Sequence, residues 1–287
     1  MNSKIGKVTL NLEYYRGNDS GVESDLENRI LEMVKSGKDL EEVLLNDNDG
    51  RLLYHLSDIR KNLLSWYTFD KDASILEIGA DCGTVTGLFC EKAGKVVAIE
   101  QSKIRAEISA YRNNYDNLEI IVGRMDDIKL NEKFDVVTLL GSLDLTPKLI
   151  KMAKDMLNPD GIIIIATANK YGLKYWSGAS TEEAGTVFAD TEEQSNDRGF
   201  SKNGLTKLLA EQGIDDVDYY YPVPDHRLPF YLYTDESLPA SEIVNTETVE
   251  YINEGLKLFN ERKVSDELLK DGMYPDFANS FLVFGRV

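Results

Sequence analysis

The chain has 287 residues, enough for one large domain or two modest ones, and its 42% hydrophobic and 29% charged content is that of an ordinary folded protein. Fifty acids against 32 bases leave a formal charge of −18. That surface repels phosphate backbones and anionic lipid, so neither nucleic acid nor a basic-patch membrane contact is expected.

Met1-Asn2-Ser3-Lys4 leads into no apolar stretch, and the longest apolar run, Ile162 to Ala168, is strand-sized. Neither a secretory signal nor a membrane span is expected. Val8 to Tyr15 alternates as a strand does, and Arg16-Gly17-Asn18-Asp19 reads as a turn. Two helices follow, one with Leu26, Ile30, Met33 and Val34 on a face, the other with Leu52, Leu56, Ile59 and Leu63. Asp70-Lys71-Asp72 marks a boundary, giving an N-terminal cap over 1–72.

From Ser74 strands and helices alternate. Ile75–Gly79, Lys95–Glu100, Leu118–Val122, Phe134–Leu140 and Ile162–Ala166 are short apolar strands. Helices lie between them at Thr84–Ala93, after Ser102 as N-cap, and from Thr146-Pro147 with proline at the first position. Asn158-Pro159-Asp160-Gly161 reads as the turn into the fifth strand. Such continuous apolar strands predict a parallel sheet covered on both faces, an α/β fold. Beyond Ala166 the pattern loosens into insertions at 167–200 and 222–278. They are separated by a helix capped by Ser201 and a strand over Val217–Tyr221. Ser280–Val287 closes the chain as a strand antiparallel to that sixth one. Cys82 and Cys90 predict no disulfide framework and a reducing, cytoplasmic setting. With only His55 and His226 as imidazoles, no metal is expected.

The chemistry concentrates at Glu77-Ile78-Gly79-Ala80-Asp81-Cys82-Gly83, the turn after the first strand, where ligands of such sheets bind. Glu100 ends the next strand, 21 residues after Gly79, where a carboxylate can accept both hydroxyls of a ribose. A dinucleotide needs Gly-x-Gly-x-x-Gly for its pyrophosphate, and Asp81 breaks that pattern. S-adenosylmethionine (SAM) has no phosphate and carries a sulfonium cation, and Glu77 suits its ammonium. A glycine turn of some other α/β domain is the bland alternative.

On these residues the chain resembles the class I SAM-dependent methyltransferases over 73–287. More narrowly, it resembles bacterial methyltransferases encoded with, or fused to, glycosyltransferases of surface-polysaccharide assembly. The narrower likeness rests on Tyr54-His55-Leu56-Ser57, Asn62 to Tyr67, Asn169 to Ala179, and Tyr220-Tyr221-Pro222-Val223-Pro224-Asp225. The resemblance implies a Rossmann-like sheet in the order 3-2-1-4-5-7-6 with the seventh strand antiparallel. It implies a SAM turn of Glu77, Gly79, Ala80, Asp81 and Gly83, and a ribose site at Glu100 with Gln101 beside it. Around adenine it implies a loop with Arg124, the Met125 N–H and the Asp126 carboxylate; Gly141 and Ser142 line the methionine side. The chain departs from the narrower group in three places. Asp81 replaces a glycine, Ala168 replaces a glutamate, and Glu183 falls where a histidine is usual.

Methyl transfer to a hydroxyl benefits from a general base beside a well-held acceptor. His226, next to Asp225 in the second insertion, is one candidate, against a plain loop histidine. Asp144, just past the fourth strand, is another, against a helix cap. His55, on the second helix, is the third, against packing on the sheet. Tyr171, Tyr175 and Trp176 either stack on a sugar or base or anchor their loop. The expected activity is SAM-dependent O-methylation of a sugar or small-molecule hydroxyl, with a glycan acceptor and a glycosyltransferase partner. The alternative is a weak or inactive methyltransferase-like scaffold for a glycosyltransferase, motivated by Asp81, Ala168 and Glu183.

Overall fold

A computed structural model describes residues 2–17, 24–140, 145–179, 200–240 and 258–287. The chain divides into two compact units, Met1–Leu140 with Met156–Ile162, and Gly141–Asp155 with Ile163–Val287.

The first unit is built on β1 (Asn2–Ile5), β2 (Val8–Asn11), β3 (Ser74–Ile78), β4 (Lys95–Glu100), β5 (Leu118–Val122) and β6 (Phe134–Leu140), in the order β1-β2-β5-β4-β3-β6. Apart from the β1–β2 hairpin the pairs are parallel, with Ile75 beside both Val96 and Val136 and Leu10 beside Ile120. Ile75, Leu76, Val96, Val97 and Ile120 are fully buried, as expected where helices cover both faces of a sheet. Around it lie α1 (Ser24–Lys35), α2 (Leu40–Asn46), α3 (Gly50–Leu56), α4 (Thr86–Lys92) and α5 (Lys103–Arg112). Leu26 and Ile30 of α1, Leu52 and Leu56 of α3, and Ile108 of α5 share one cluster with Cys82. The N-terminal helices therefore pack directly on the turn after β3.

In the second unit β8 (Asp216–Val223) pairs antiparallel with both β9 (Tyr231–Thr234) and β10 (Ser280–Arg286), and Tyr220 faces Leu282. Its helices are α6 (Pro147–Asp155), α7 (Leu173–Ser177), α8 (Lys202–Glu211), α9 (Glu261–Lys270) and α10 (Tyr274–Phe277). β7 (Leu157–Ala168) begins in the first unit and ends in the second.

The mixed, Rossmann-like α/β class is as expected; the details differ in four places. The expected seven-strand order is incomplete, because it omits β1, β2 and β9. The residues at 8–11, assigned to the cap, instead extend the sheet at β5. The helix expected through Leu63 stops at Leu56, because Ser57 turns the chain into an extended conformation and caps a 3-10 turn over Asp58–Leu63, accepting from the Ile59 N–H. The turn expected at 158–161 lies inside β7. There Asp160 takes a positive φ of 63°, and Asn158 Nδ2 bonds Asp135 Oδ1 at 2.7 Å, which holds the bent segment beside β6. Both cysteines are buried free thiols. Among the described residues no helix is long and apolar enough to cross a membrane.

Candidate functional site

The turn from β3 to α4 carries three left-handed residues, Gly79 (φ 80°), Asp81 (φ 51°) and Gly83 (φ 76°). The N–H groups of Gly79 and Ala80 both bond Ile99 O, at 2.9 and 3.1 Å, which bends the turn over the end of β4. Gly83 is fixed by space as well as by φ. A Cβ there would lie 2.2 Å from Ser109 Oγ and 2.6 Å from Asn113 Nδ2. The Asn113 amide also donates to Gly83 O at 2.7 Å.

Two acids flank this turn. Glu77 is 3% exposed and accepts from Thr86 Oγ1 at 2.6 Å. Burial pushes its carboxyl up to about 8, against the pull of Thr86 and Arg60. Glu100 is 5% exposed and accepts from the Asp81 N–H through Oε2 and the Ser102 N–H through Oε1, both at 2.8 Å. Burial pushes it up to about 7, partly offset by the Ser102 N–H. The end of β4 also receives the Gly123 N–H at Glu100 O, 3.0 Å away, so the segment 123–127 starts beside Glu100. Within it Arg124 and Asp126 are exposed and 3.9 Å apart, and Met125 opens a 3-10 turn and is half-buried. Gln101 is exposed next to Glu100. Thr138, the register partner of Glu77 on β6, has a buried hydroxyl without a hydrogen-bond partner among the described residues.

Asp81 is the centre of a buried charge network. Its Oδ2 lies 3.2 Å from His55 Nδ1 and 3.2 Å from an Arg60 guanidinium nitrogen, and its Oδ1 lies 3.5 Å from Arg105. Burial opposes the charge, but His55, Arg105 and Arg60 hold the carboxyl well below the usual range. Arg105 is held in turn by Glu27, at 2.7 and 3.0 Å. His55, Asp81 and Cys82 offer ligand atoms within 4.8 Å of one another. Two guanidiniums already neutralise that carboxylate and burial pushes the Cys82 thiol well up, so the donor set is that of an ion-pair network.

The second unit holds a separate polar cluster. Asp225 is fully buried, bonded to Lys174 Nζ at 2.8 Å and to Arg227 at 3.3 Å. Burial opposes its charge, but Lys174, His226 and Arg227 together hold the Asp225 carboxyl below the usual range. His226 is 8% exposed, and its backbone N–H donates to Ser280 Oγ at 2.7 Å. Tyr171 and Trp176 are 44% and 43% exposed, and the Trp176 indole donates to Tyr171 O. Ala168 ends β7 and is half-buried. Gly141, Ser142, Asp144 and Glu183 lie outside the described residues.

The structure thus brings His55, Glu77, Gly79, Ala80, Asp81, Gly83 and Glu100 together. Sequence reasoning missed Arg60, Arg105, Glu27 and Lys174. One signal was present: Glu27 sits three and four residues before Ile30 and Leu31, on the apolar stripe of α1, where an unpaired acid is costly.

A family model described as a methyltransferase domain matches residues 49–238. The malonyl-[acyl-carrier protein] O-methyltransferase of Priestia megaterium is 26% identical over 111 residues, 37% of this chain and 40% of that protein. The probable ribosomal RNA small subunit methyltransferase A of Thermococcus sibiricus is 31% identical over 109 residues, 38% of this chain and 40% of that one. The chain therefore spans about two-fifths of the length of these curated relatives. A chain from the Haloferax volcanii complex with the Trm112 methyltransferase activator superposes with a TM-score of 0.52 at 13% identity, covering 90% of this chain and 96% of that one. That last likeness is one of fold.

Proposed function

The chain belongs to the methyltransferase-domain family; from that premise we propose that it is a SAM-dependent enzyme that methylates a hydroxyl of a sugar or glycan acceptor, with Glu77 and Glu100 as the two carboxylates that hold the cofactor. The observation that carries the cofactor assignment is the pair of buried acids at the ends of adjacent parallel strands, both raised in pKa because burial outweighs the pull of Arg60 on Glu77 and of Arg105 on Glu100. Such a pair suits a ligand that brings its own positive charge and two donor hydroxyls. SAM, when bound, supplies an electrophilic methyl on sulfur. Glu77 would hold the ammonium and Glu100 the ribose hydroxyls. The turn from Gly79 to Gly83 would carry the methionine part past the backbone. The Met125 N–H and the Asp126 carboxylate would hold adenine, and Gly141 the methionine side.

The acceptor assignment rests on the narrower resemblance, together with the exposed rings of Tyr171 and Trp176, which suit a sugar face. The charge of −18 disfavours RNA as the acceptor. His226 is the group we assign to the acceptor's proton, with Asp144 as second candidate, and a glycosyltransferase is the partner the same resemblance supports. In this reading the helices α1 and α3 of the N-terminal segment act as a cap that backs the cofactor turn.

Calorimetry with SAM and S-adenosylhomocysteine tests the cofactor site. Binding to the wild type with loss of about a hundredfold or more in Glu100→Ala is expected, since two hydrogen bonds to a charged group are worth about 3–6 kcal/mol. Unchanged affinity in that variant would show the ribose to be elsewhere. Release of S-adenosylhomocysteine with a panel of sugar nucleotides and oligosaccharides tests the acceptor class.

A further inference from the structure

We propose that Asp81 is a built anchor of the cofactor turn, and that His55, Arg60 and Arg105 are positioning residues that act through it on Glu100. The inference rests on the cofactor reading above and goes beyond it. Position 81 looks from the sequence like a damaged glycine. The structure gives it a different sense.

Asp81 occupies a left-handed conformation that residues with a Cβ adopt reluctantly. A glycine would meet no such resistance, so something must hold the aspartate there. Three side chains from three elements do so: the His55 imidazole on α3, and the guanidiniums of Arg60 on the following 3-10 turn and Arg105 on α5. Both guanidiniums are themselves fixed. Arg60 stacks on the Tyr54 ring at 4.4 Å, and Arg105 is pinned by the fully buried Glu27 of α1. Arg112 then ties the two backbones together. It donates to His55 O and Leu56 O on the cap side, and to Cys82 O on the turn side, at 2.7 to 3.2 Å.

Two consequences follow for the cofactor carboxylates. First, the side chain of Asp81 is clamped, so its N–H is aimed at Glu100 Oε2 at 2.8 Å. That bond fixes the plane of the carboxylate proposed to take the ribose. Second, the Asp81 charge occupies Arg60 and Arg105. Arg60 also feels Glu77, and Arg105 also feels Glu100. Without Asp81 these guanidiniums would turn to the two cofactor acids and compete with the ligand for them. A glycine at 81 would relax the backbone and still damage the site.

The test uses the full chain, with SAM and adenosine as probes in calorimetry and with cofactor-free melting alongside. Asp81→Gly and Asp81→Asn are each expected to weaken SAM by about tenfold or more, and adenosine by a similar factor, because the effect passes through the ribose carboxylate. Removing Arg60 in the Asp81→Asn background should recover part of that loss, which a merely structural role would not give. In a Glu100→Gln background, Asp81→Asn should add less than about threefold. SAM binding to Asp81→Gly as tight as to the wild type overturns the proposal. Should the Asp81 variants not fold, Arg60 decides alone. A loss of about tenfold in Arg60→Met that Arg60→Lys restores supports the anchor, and unchanged affinity in Arg60→Met overturns it. Glu100→Ala separates the two readings: normal SAM affinity there refutes the cofactor site itself, whatever Asp81 does.

Discussion

Cofactor binding should expel about one proton from Glu77. With its carboxyl pushed up to about 8 in the cofactor-free protein, Glu77 at pH 6.5 is almost fully protonated. Pairing with a ligand ammonium requires the ionised form. Stripping the proton across that gap of about 1.5 pH units opposes binding by about 2 kcal/mol. The ligand's own α-amine stays protonated at this pH, so it adds little to the balance. Titrating SAM at pH 6.5 in two buffers of different ionisation enthalpy reads the released protons directly. About one is expected from Glu77, with up to roughly another 0.8 from Glu100, whose carboxyl stands at about 7. Glu77→Gln isolates the two, since only the Glu100 share remains. Apparent affinity should also rise about tenfold per pH unit between 5.5 and 6.5 from Glu77 alone. If the wild type releases less than about half a proton while binding SAM, Glu77 does not meet the cation in its charged form, and the assignment of the ammonium fails.

Three further outcomes follow from the same geometry. Glu77 and Glu100 both have folded-state values above their unfolded one, so the unfolded chain ionises first; stability conferred by their neutral forms is complete below about pH 4.5 and is lost as pH rises towards 8. Scanning calorimetry of the cofactor-free protein should give a Tm that falls between pH 5 and 8 more steeply than in Glu77→Gln, and parallel profiles would argue against a buried neutral acid. Gly83→Ala places a Cβ against Ser109 and Asn113 in a left-handed residue, and should cost about 2 kcal/mol or more in urea unfolding. Lys174→Met strips the fully buried Asp225 of its ammonium, for which about 3–5 kcal/mol is expected, whereas pairing it with Asp225→Leu should recover much of the loss; equal stability of single and double variants would contradict a coupled ion pair.

The alternation of strand and helix was legible because β3 to β6 are apolar runs of ordinary strand length, and Ser102 and Ser201 cap α5 and α8 where their positions suggest. Local signals misled where tertiary partners outweighed them. The turn residues Asn158 to Gly161 stay within β7 because Asp135 offers a bond, and the apolar stripe through Leu63 breaks because Ser57 caps more strongly than the stripe propagates. At the site, the spacing of Glu77, Gly79, Gly83 and Glu100 suffices to bring them together, since a parallel βαβ unit fixes where each ends. The network on Asp81 was not legible. Its members come from α1, α3, the 3-10 turn after it and α5, and Glu27 meets Arg105 across 78 residues. Lys174 takes Asp225 across 51 residues, which no neighbouring residue announces.

The docking of β2 on β5 sets a schedule for assembly. Thr9 pairs with Glu119 roughly 110 residues later, so during synthesis the hairpin of β1 and β2 emerges long before the strand it completes. Its apolar Val8 and Leu10 must wait, exposed, until β5 and the β3–β4 pair have formed a template. Such high-separation pairing makes the edge hairpin a late event and leaves it open to aggregation or chaperone capture in the nascent chain. A substitution that weakens Val8 or Leu10 would therefore reduce yield in the cell more than it reduces the stability of molecules that have already folded.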